Sequence, residues 1–205
     1  MRALILKPLF LIGIAIWIAA TGFGFRELML HENAPGKPSQ APAEWPLAAG
    51  IHRTASRATL VMVVHPQCSC SSATLGELAL IMAQAPGRAD AQVLFFKPAG
   101  FLKQWAENDL WRAAAAIPGV DVRIDDEGKE ASLFHASTSG AVLLYDRDGR
   151  LIFEGGITPS RSHSGDNAGR SAIVSLLTRG KTERNTTFVF GCSILDSRKP
   201  GDQSQ

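Results

Sequence analysis

Thr59-Leu60-Val61-Met62-Val63-Val64-His65-Pro66-Gln67-Cys68-Ser69-Cys70-Ser71-Ser72 changes character half-way along. The first six residues are apolar and rich in β-branched side chains, the pattern of a buried strand. After the corner, Leu75, Leu78 and Met82 fall at helical spacing, and Ser71 or Ser72 is placed to cap the first turn. Two of the three cysteines of the chain therefore stand where a buried strand becomes a helix. A helix N-terminus carries about half a positive charge and unpaired N–H groups, both of which favour thiolate over thiol. The spacing predicts an acidic, nucleophilic thiol at Cys68 or Cys70. The plainer alternative is a pair of inert, half-buried cysteines in a loop.

Upstream, Pro8 to Phe25 runs without a charged residue, long enough to cross a bilayer as a helix. Arg2 and Lys7 precede it, whereas Arg26 and Glu27 cancel after it. The positive-inside rule leaves the N-terminus cytoplasmic and exports the rest. In a bacterium this describes a single-pass inner-membrane protein with a periplasmic C-terminal domain. A cleaved signal peptide with Ala19-Ala20-Thr21 as its site competes with a retained anchor. The anchor is preferred, because the apolar run exceeds a typical h-region of about 7–15 residues. Export permits disulfides to persist, so the cysteines count as redox groups. From Arg26 to Gly50, Pro35, Pro38, Pro42 and Pro46 interrupt small and polar residues, the composition of a semi-extended tether. Trp45 in that tether would either pack on the domain edge or sit among lipid headgroups.

Downstream, Ala91–Pro98 reads as a strand, Phe101–Ala116 as a helix, and Val120–Ile124 as a strand with one exposed face. A short helical turn over Glu130–His135 precedes two strands, Ala141–Tyr145 and Arg150–Phe153, joined by an Asp-Gly hairpin. A last helix covers Asn167–Thr178, with Asp166 as a candidate cap. Strands alternating with helices imply an α/β fold with a central sheet covered on both faces. The organisation expected is thus 1–25 membrane segment, 26–50 tether, 51–180 domain, and 181–205 tail carrying Cys192. The tail's Phe188-Val189-Phe190 favours docking over floating. Net charge is only +2, and basic residues are dispersed, so nucleic-acid binding finds no support.

The cysteine corner, the late Asp146-Arg147-Asp148-Gly149 hairpin and Gly155-Gly156 together resemble the thioredoxin-like superfamily, over about Arg57 to Gly180. His65-Pro66-Gln67-Cys68-Ser69-Cys70-Ser71 resembles, more narrowly, a membrane-anchored thioredoxin-like branch with some members labelled RedB. So do Thr138-Ser139-Gly140, Gly155-Gly156-Ile157-Thr158, Gly165-Asp166-Asn167 and Phe190-Gly191-Cys192. The resemblance implies a central mixed sheet flanked by helices, and exchange with protein thiols or disulfides. Two departures stand out. The usual Cys-x-x-Cys is Cys-x-Cys here, with Ser71 at the second usual position, and Gly140 stands where a cis-proline facing the thiol is usual.

Two chemistries remain open at this point. In the first, Cys68 attacks a protein disulfide and Cys70 resolves the mixed disulfide, through a small strained ring that is easily reduced. No cofactor is then needed. In the second, Cys68, Cys70 and a histidine, His163 foremost, hold Cu(I) as a metallochaperone or metal module. An interaction domain without turnover is a third possibility. His65 is placed to steady a thiolate, or to end the strand. The long connection Gly155–Asn167 should hang beside the thiols, where Arg161 would lower a thiol pKa and His163 would carry a proton or bind metal. Cys192 reads as a resolving thiol, a third ligand, or a bystander. His135 reads as packing or surface, and Asn185-Thr186-Thr187 matches a glycosylation pattern by composition only.

Overall fold

The computed structural model describes residues 2–194, which divide into two compact units, one ending at Ala34 and one beginning at Pro35. The first is helix α1, Arg2–Glu32. Its stretch Phe10–Glu32 has a mean hydropathy of 1.4, and it is long and apolar enough to cross a membrane, a property that signal sequences share. The helix runs past the expected end at Phe25, because Leu28, Met29 and Leu30 continue as good helix formers.

The second unit contains β1 (Ala58–Val64), α2 (Cys70–Gln84), β2 (Ala89–Lys97), α3 (Asp109–Ala115), β3 (Val120–Asp126), α4 (Lys129–Leu133), β4 (Val142–Tyr145), β5 (Leu151–Gly155) and α5 (Ala168–Arg179). They build a five-stranded sheet in the order β3-β2-β1-β4-β5. β2 pairs parallel with β1 and with β3, while β4 pairs antiparallel with β1 and with β5. This is the expected central mixed sheet flanked by helices. β1 lies in the middle, and Leu60 through Val64 are wholly buried, their side chains alternating into two cores. Leu60, Met62 and Val64 meet α2 residues Leu75, Leu78 and Ile81 on one face. Val61 and Val63 meet Phe134, Tyr145 and Val189 on the other.

Four local expectations change. The helix expected over Phe101–Ala116 is a single turn of 3-10 helix at Lys103–Trp105 followed by α3. The break falls at Asn108, whose extended backbone ends one turn and whose side chain accepts from the Leu110 and Trp111 N–H groups to start the next. At the start of α2 neither Ser71 nor Ser72 caps; Ser69 occupies the N-cap position without a side-chain bond. Ser71 instead turns inward. At α5 it is Asn167 that caps, accepting from the Arg170 N–H at 2.7 Å, while Asp166 pairs with the Arg170 guanidinium.

The fourth change is the tether. From Pro35 onward it belongs to the domain's compact unit. The Ala41 N–H donates to the Glu154 carboxylate at 3.0 Å, the Tyr145 hydroxyl to the Pro42 carbonyl at 3.0 Å, and the Trp45 N–H to the Gly149 carbonyl at 2.8 Å. Trp45 lies edge-on to Phe134 and Tyr145, at 5.1 and 5.2 Å between ring centres, and Ile51 is buried. The prolines keep the strip extended, and its one large aromatic finds an apolar face of the sheet's second core. Trp45→Ala should therefore cost about 2 kcal/mol, below the ~3–5 kcal/mol of a fully buried aromatic truncation. Leu47, fully exposed, should tolerate alanine within ~0.5 kcal/mol. Urea midpoints measure both; equal, negligible effects would mean that the strip is free.

Candidate active site

The turn between β1 and α2 is fastened from inside. The Cys68 N–H donates to the His65 carbonyl and the Ser71 N–H to the Cys68 carbonyl, each at 3.0 Å. The Ser71 hydroxyl donates to the same His65 carbonyl at 3.0 Å and lies 3.2 Å from the Ser139 hydroxyl. Ser139, in the approach to β4, accepts from the His65 N–H at 2.9 Å. On the outer side Asn108 donates to the Pro66 carbonyl at 2.9 Å, so the cap of α3 also grips the cysteine turn. Ser71 and Ser139 are buried, and these contacts use their hydroxyls.

Two segments distant in sequence close over this turn. The tail runs antiparallel to the approach to β4, with Thr138 opposite Ser193. The Ser139 N–H donates to the Cys192 carbonyl and the Ile194 N–H to the Ser137 carbonyl, both at 2.8 Å. That pairing sets the Cys192 sulfur 3.0 Å from the Cys68 sulfur. The connection Gly156–Asn167 supplies the other cover. Its Ser162 hydroxyl lies 3.4 Å from the Cys70 sulfur and 3.3 Å from the Ser69 hydroxyl, and Arg161 donates to the Gly191 carbonyl at 2.8 Å. Glu77, two turns along α2 from Cys70 and wholly buried, ties this connection down. Its carboxylate accepts from the Gly165 N–H at 2.8 Å, from Asn167 at 3.1 Å and from Arg170 at 2.5 Å.

These contacts divide the thiols by acidity. Burial opposes a Cys68 thiolate, but the Cys192 thiol and N–H and the Cys70 N–H and thiol all favour it, and the balance holds Cys68 below the ordinary thiol range. Cys192 moves the other way, pushed up to about 12 by burial, by its bond to Cys68 and by the negative charge of Cys68 and Cys70, with Arg161 pulling back. Of the pair, Cys68 is the thiol that ionises first and Cys192 the one that keeps its proton longer.

The expected site residues separate accordingly. Cys68, Cys70, Cys192 and Arg161 are brought together. Cys192 has a more intimate place than expected, because it directly contacts Cys68. His65 faces away into an aromatic pocket: it stacks on Phe96 at 5.7 Å, meets the edge of Trp105 at 5.5 Å, and accepts from the Gln67 N–H at 3.1 Å. Burial lowers its pKa, so its neutral ring shapes the turn. His163 is exposed, its Nδ1 2.6 Å from the Arg161 carbonyl of its own loop. His135 is also on the surface, against the Gln40 carbonyl. Among the described residues no three His, Cys, Asp or Glu side chains converge as a metal set, so the proposed ligands Cys68, Cys70 and His163 are not assembled. Gly140 has φ +87°, a conformation closed to proline, and donates to the Val63 carbonyl at 2.7 Å.

No protein-family model and no curated protein sequence matches this chain. Solved structures do. An uncharacterized conserved protein from Geobacillus kaustophilus is 19% identical, with a TM-score of 0.55 over 78% of this chain and 91% of its own. A hypothetical protein from Sinorhizobium meliloti 1021 is 18% identical, with a TM-score of 0.55 over 80% of this chain and 97% of its own. The pneumococcal exposed lipoprotein thioredoxin Etrx1 from Streptococcus pneumoniae strain TIGR4 is 18% identical at a TM-score of 0.42, over 60% and 84%. The first two share this chain's fold, a central mixed sheet flanked by helices.

Three participants escaped the sequence reading. Glu77 sits among apolar helix positions, and its isolation there is the one available signal. Ser162 looks like ordinary loop composition, and Ser139, within Thr138-Ser139-Gly140, is a serine whose hydroxyl partners lie far away in sequence. The division of acidity is testable in the reduced protein. The alkylation rate of Cys68 should rise with pH through a midpoint below that of an unperturbed cysteine, and vanish as pH falls through that midpoint. Cys192→Ala removes the side-chain donor and should move the midpoint up. An unmoved midpoint would assign the thiolate to the backbone donors and the Cys70 thiol.

Proposed function

We propose that this chain is an exported thiol–disulfide oxidoreductase, held to the membrane by α1, in which Cys68 attacks and Cys192 resolves. The observation that carries the reading is the 3.0 Å approach of the Cys192 sulfur to the acidic Cys68 sulfur. The Cys68 thiolate attacks one sulfur of a protein disulfide; a mixed disulfide forms, and the other substrate sulfur leaves as a thiolate that takes a proton from water. Cys68 then carries no charge. Two of the influences that hold the Cys192 proton, the bond to Cys68 and its charge, are gone, while Arg161 remains. Cys192 gives its proton to solvent and attacks the Cys68 sulfur. The Cys68–Cys192 bond forms, the second substrate thiolate leaves, and the substrate has gained two electrons that the protein has lost. A dithiol partner protein resets the pair by the reverse exchange, and the partner's potential sets the direction.

Cys192 is preferred to Cys70 as the resolving thiol on geometric grounds. A Cys68–Cys70 bridge closes a small ring against the preferred torsion, whereas Cys192 comes from another segment and closes no such ring. Cys70 supports the thiolate from the first residue of α2. The membrane part of the proposal rests on the apolar helix and its flanking charges, and places the domain in the periplasm of a bacterial cell. The likeness of the cysteine motif to the membrane-anchored thioredoxin-like branch agrees with it.

Trapping separates the three cysteines. Cys192→Ser should accumulate a mixed disulfide between Cys68 and a partner protein, and Cys68→Ser should accumulate none. Cys70→Ser should still form the Cys68–Cys192 bond. Accumulation in Cys70→Ser but not in Cys192→Ser would return the resolving role to Cys70. For the anchor, the full-length protein should stay in the membrane pellet after an alkaline wash. A shortened soluble form would make α1 a cleaved signal.

A further inference from the structure

Reactivity and access conflict at Cys68. The acidic thiol is 3% exposed, whereas Cys192, the thiol seated against it, faces solvent. An incoming disulfide must approach the Cys68 sulfur along the line of its own sulfur–sulfur bond, and the tail stands at that sulfur.

The tail is held there as a strand would be. Its backbone pairs antiparallel with Ser137–Ser139 through the two 2.8 Å bonds at Cys192 and Ile194. Such main-chain pairing is how extended peptides add to an exposed strand edge. The fit is close at Gly191, where a β-carbon would lie 1.9 Å from the Ser139 carbonyl oxygen. Val189 and Ile194, both buried, pin the two ends, and the Gly36 N–H donates to the Val189 carbonyl at 2.8 Å. Between the pins, Phe190–Ser193 is short and partly exposed, and Arg161 clasps its middle at the Gly191 carbonyl.

We propose that Gly191-Cys192-Ser193 is a resident strand that closes the site, and that an extended, cysteine-bearing polypeptide gains Cys68 by taking the place of this strand. The proposal rests on the oxidoreductase reading for its substrate, while the closure itself does not. In the oxidised protein the Cys68–Cys192 bond pins the strand covalently. In the reduced protein only backbone bonds, the Arg161 contact and the flanking pins hold it. The site is therefore openable only when it carries the electrons that a substrate disulfide needs. Once the mixed disulfide has formed, return of the strand delivers Cys192 to the Cys68 sulfur and expels the substrate.

The test is the access of Cys68 in the reduced, full-length protein in detergent. Iodoacetamide is added above the Cys68 titration midpoint, and the modified peptide is followed by mass. Gly191→Val forces the strand off the Ser139 carbonyl, and Arg161→Met removes its clasp without touching its backbone. Each should raise the Cys68 rate about tenfold, the effect of losing a close contact or a charge-assisted hydrogen bond on an opening equilibrium. His163→Ala, on the exposed loop, should stay near the wild-type rate. Wild-type rates in both Gly191→Val and Arg161→Met would overturn the closure. So would a Cys192→Ser rate as high as that of Gly191→Val, because the sulfur and not the strand would then be the cover. A site that opens as expected but never traps a partner would leave the closure standing and remove the oxidoreductase reading. Trapping without any change in access would do the reverse.

Discussion

Ser139 receives two distant segments at once, the cysteine turn and the tail, and the site depends on that convergence. Its hydroxyl takes the His65 N–H and touches Ser71, which fixes the cysteine turn; its N–H holds the Cys192 carbonyl, which fixes the tail. Its carbonyl leaves Gly191 no room for a side chain. A shift at this one residue would move Cys68 and Cys192 relative to each other, because each is referred to the same short stretch of backbone. Buried polar groups this fully paired are costly to disturb, which is how a loop attains the rigidity of a strand.

The two sulfurs illustrate why closeness and chemistry go together in a low-dielectric setting. Burial alone would raise both thiols. Placed in contact they cannot both ionise, so the charge settles where more donors point, on Cys68, and the proton stays on Cys192. The same contact makes the acidity of Cys192 conditional on the state of Cys68. Arg161 adds a fixed positive charge near Cys192 while also holding the tail's backbone, so one side chain serves both position and charge.

Ser71 and Gly140, the two positions at which the sequence resemblance breaks, both serve the backbone of the site. Ser71 is a buried hydroxyl spent on the His65 carbonyl, and it braces the cysteine turn. Gly140 turns the chain into β4 with positive φ while keeping the sheet's pairing to Val63. Glu77 adds buried, charge-assisted ties to the long loop that carries Arg161 and Ser162, at its Gly165 end.

Most elements and the cysteine corner are written in local sequence. Runs such as Leu60–Val64 can be satisfied only by burial on both faces of a sheet, and a cysteine just ahead of a helix meets its N–H groups wherever the rest of the chain goes. Hydrophobic period and helix-terminal chemistry are local, so the strand, α2, the hairpin and the placing of Cys68 and Cys70 at the corner were legible in order. The partner of Cys68 was not. Cys70 is its neighbour in sequence, whereas Cys192 reaches it through backbone pairing with Ser137–Ser139, and backbone pairing carries no residue code. The same holds for the prolines of the supposed tether, which specify an extended chain but not the face on which Trp45 lies. His163 and Ser162 stand side by side in one loop, yet only Ser162 reaches a thiol, since the loop's path is set by the buried carboxylate of Glu77 on another element. Local chemistry comes from side chains within a turn or two; which side chains share a site comes from where the sheet and its clasps bring distant segments together.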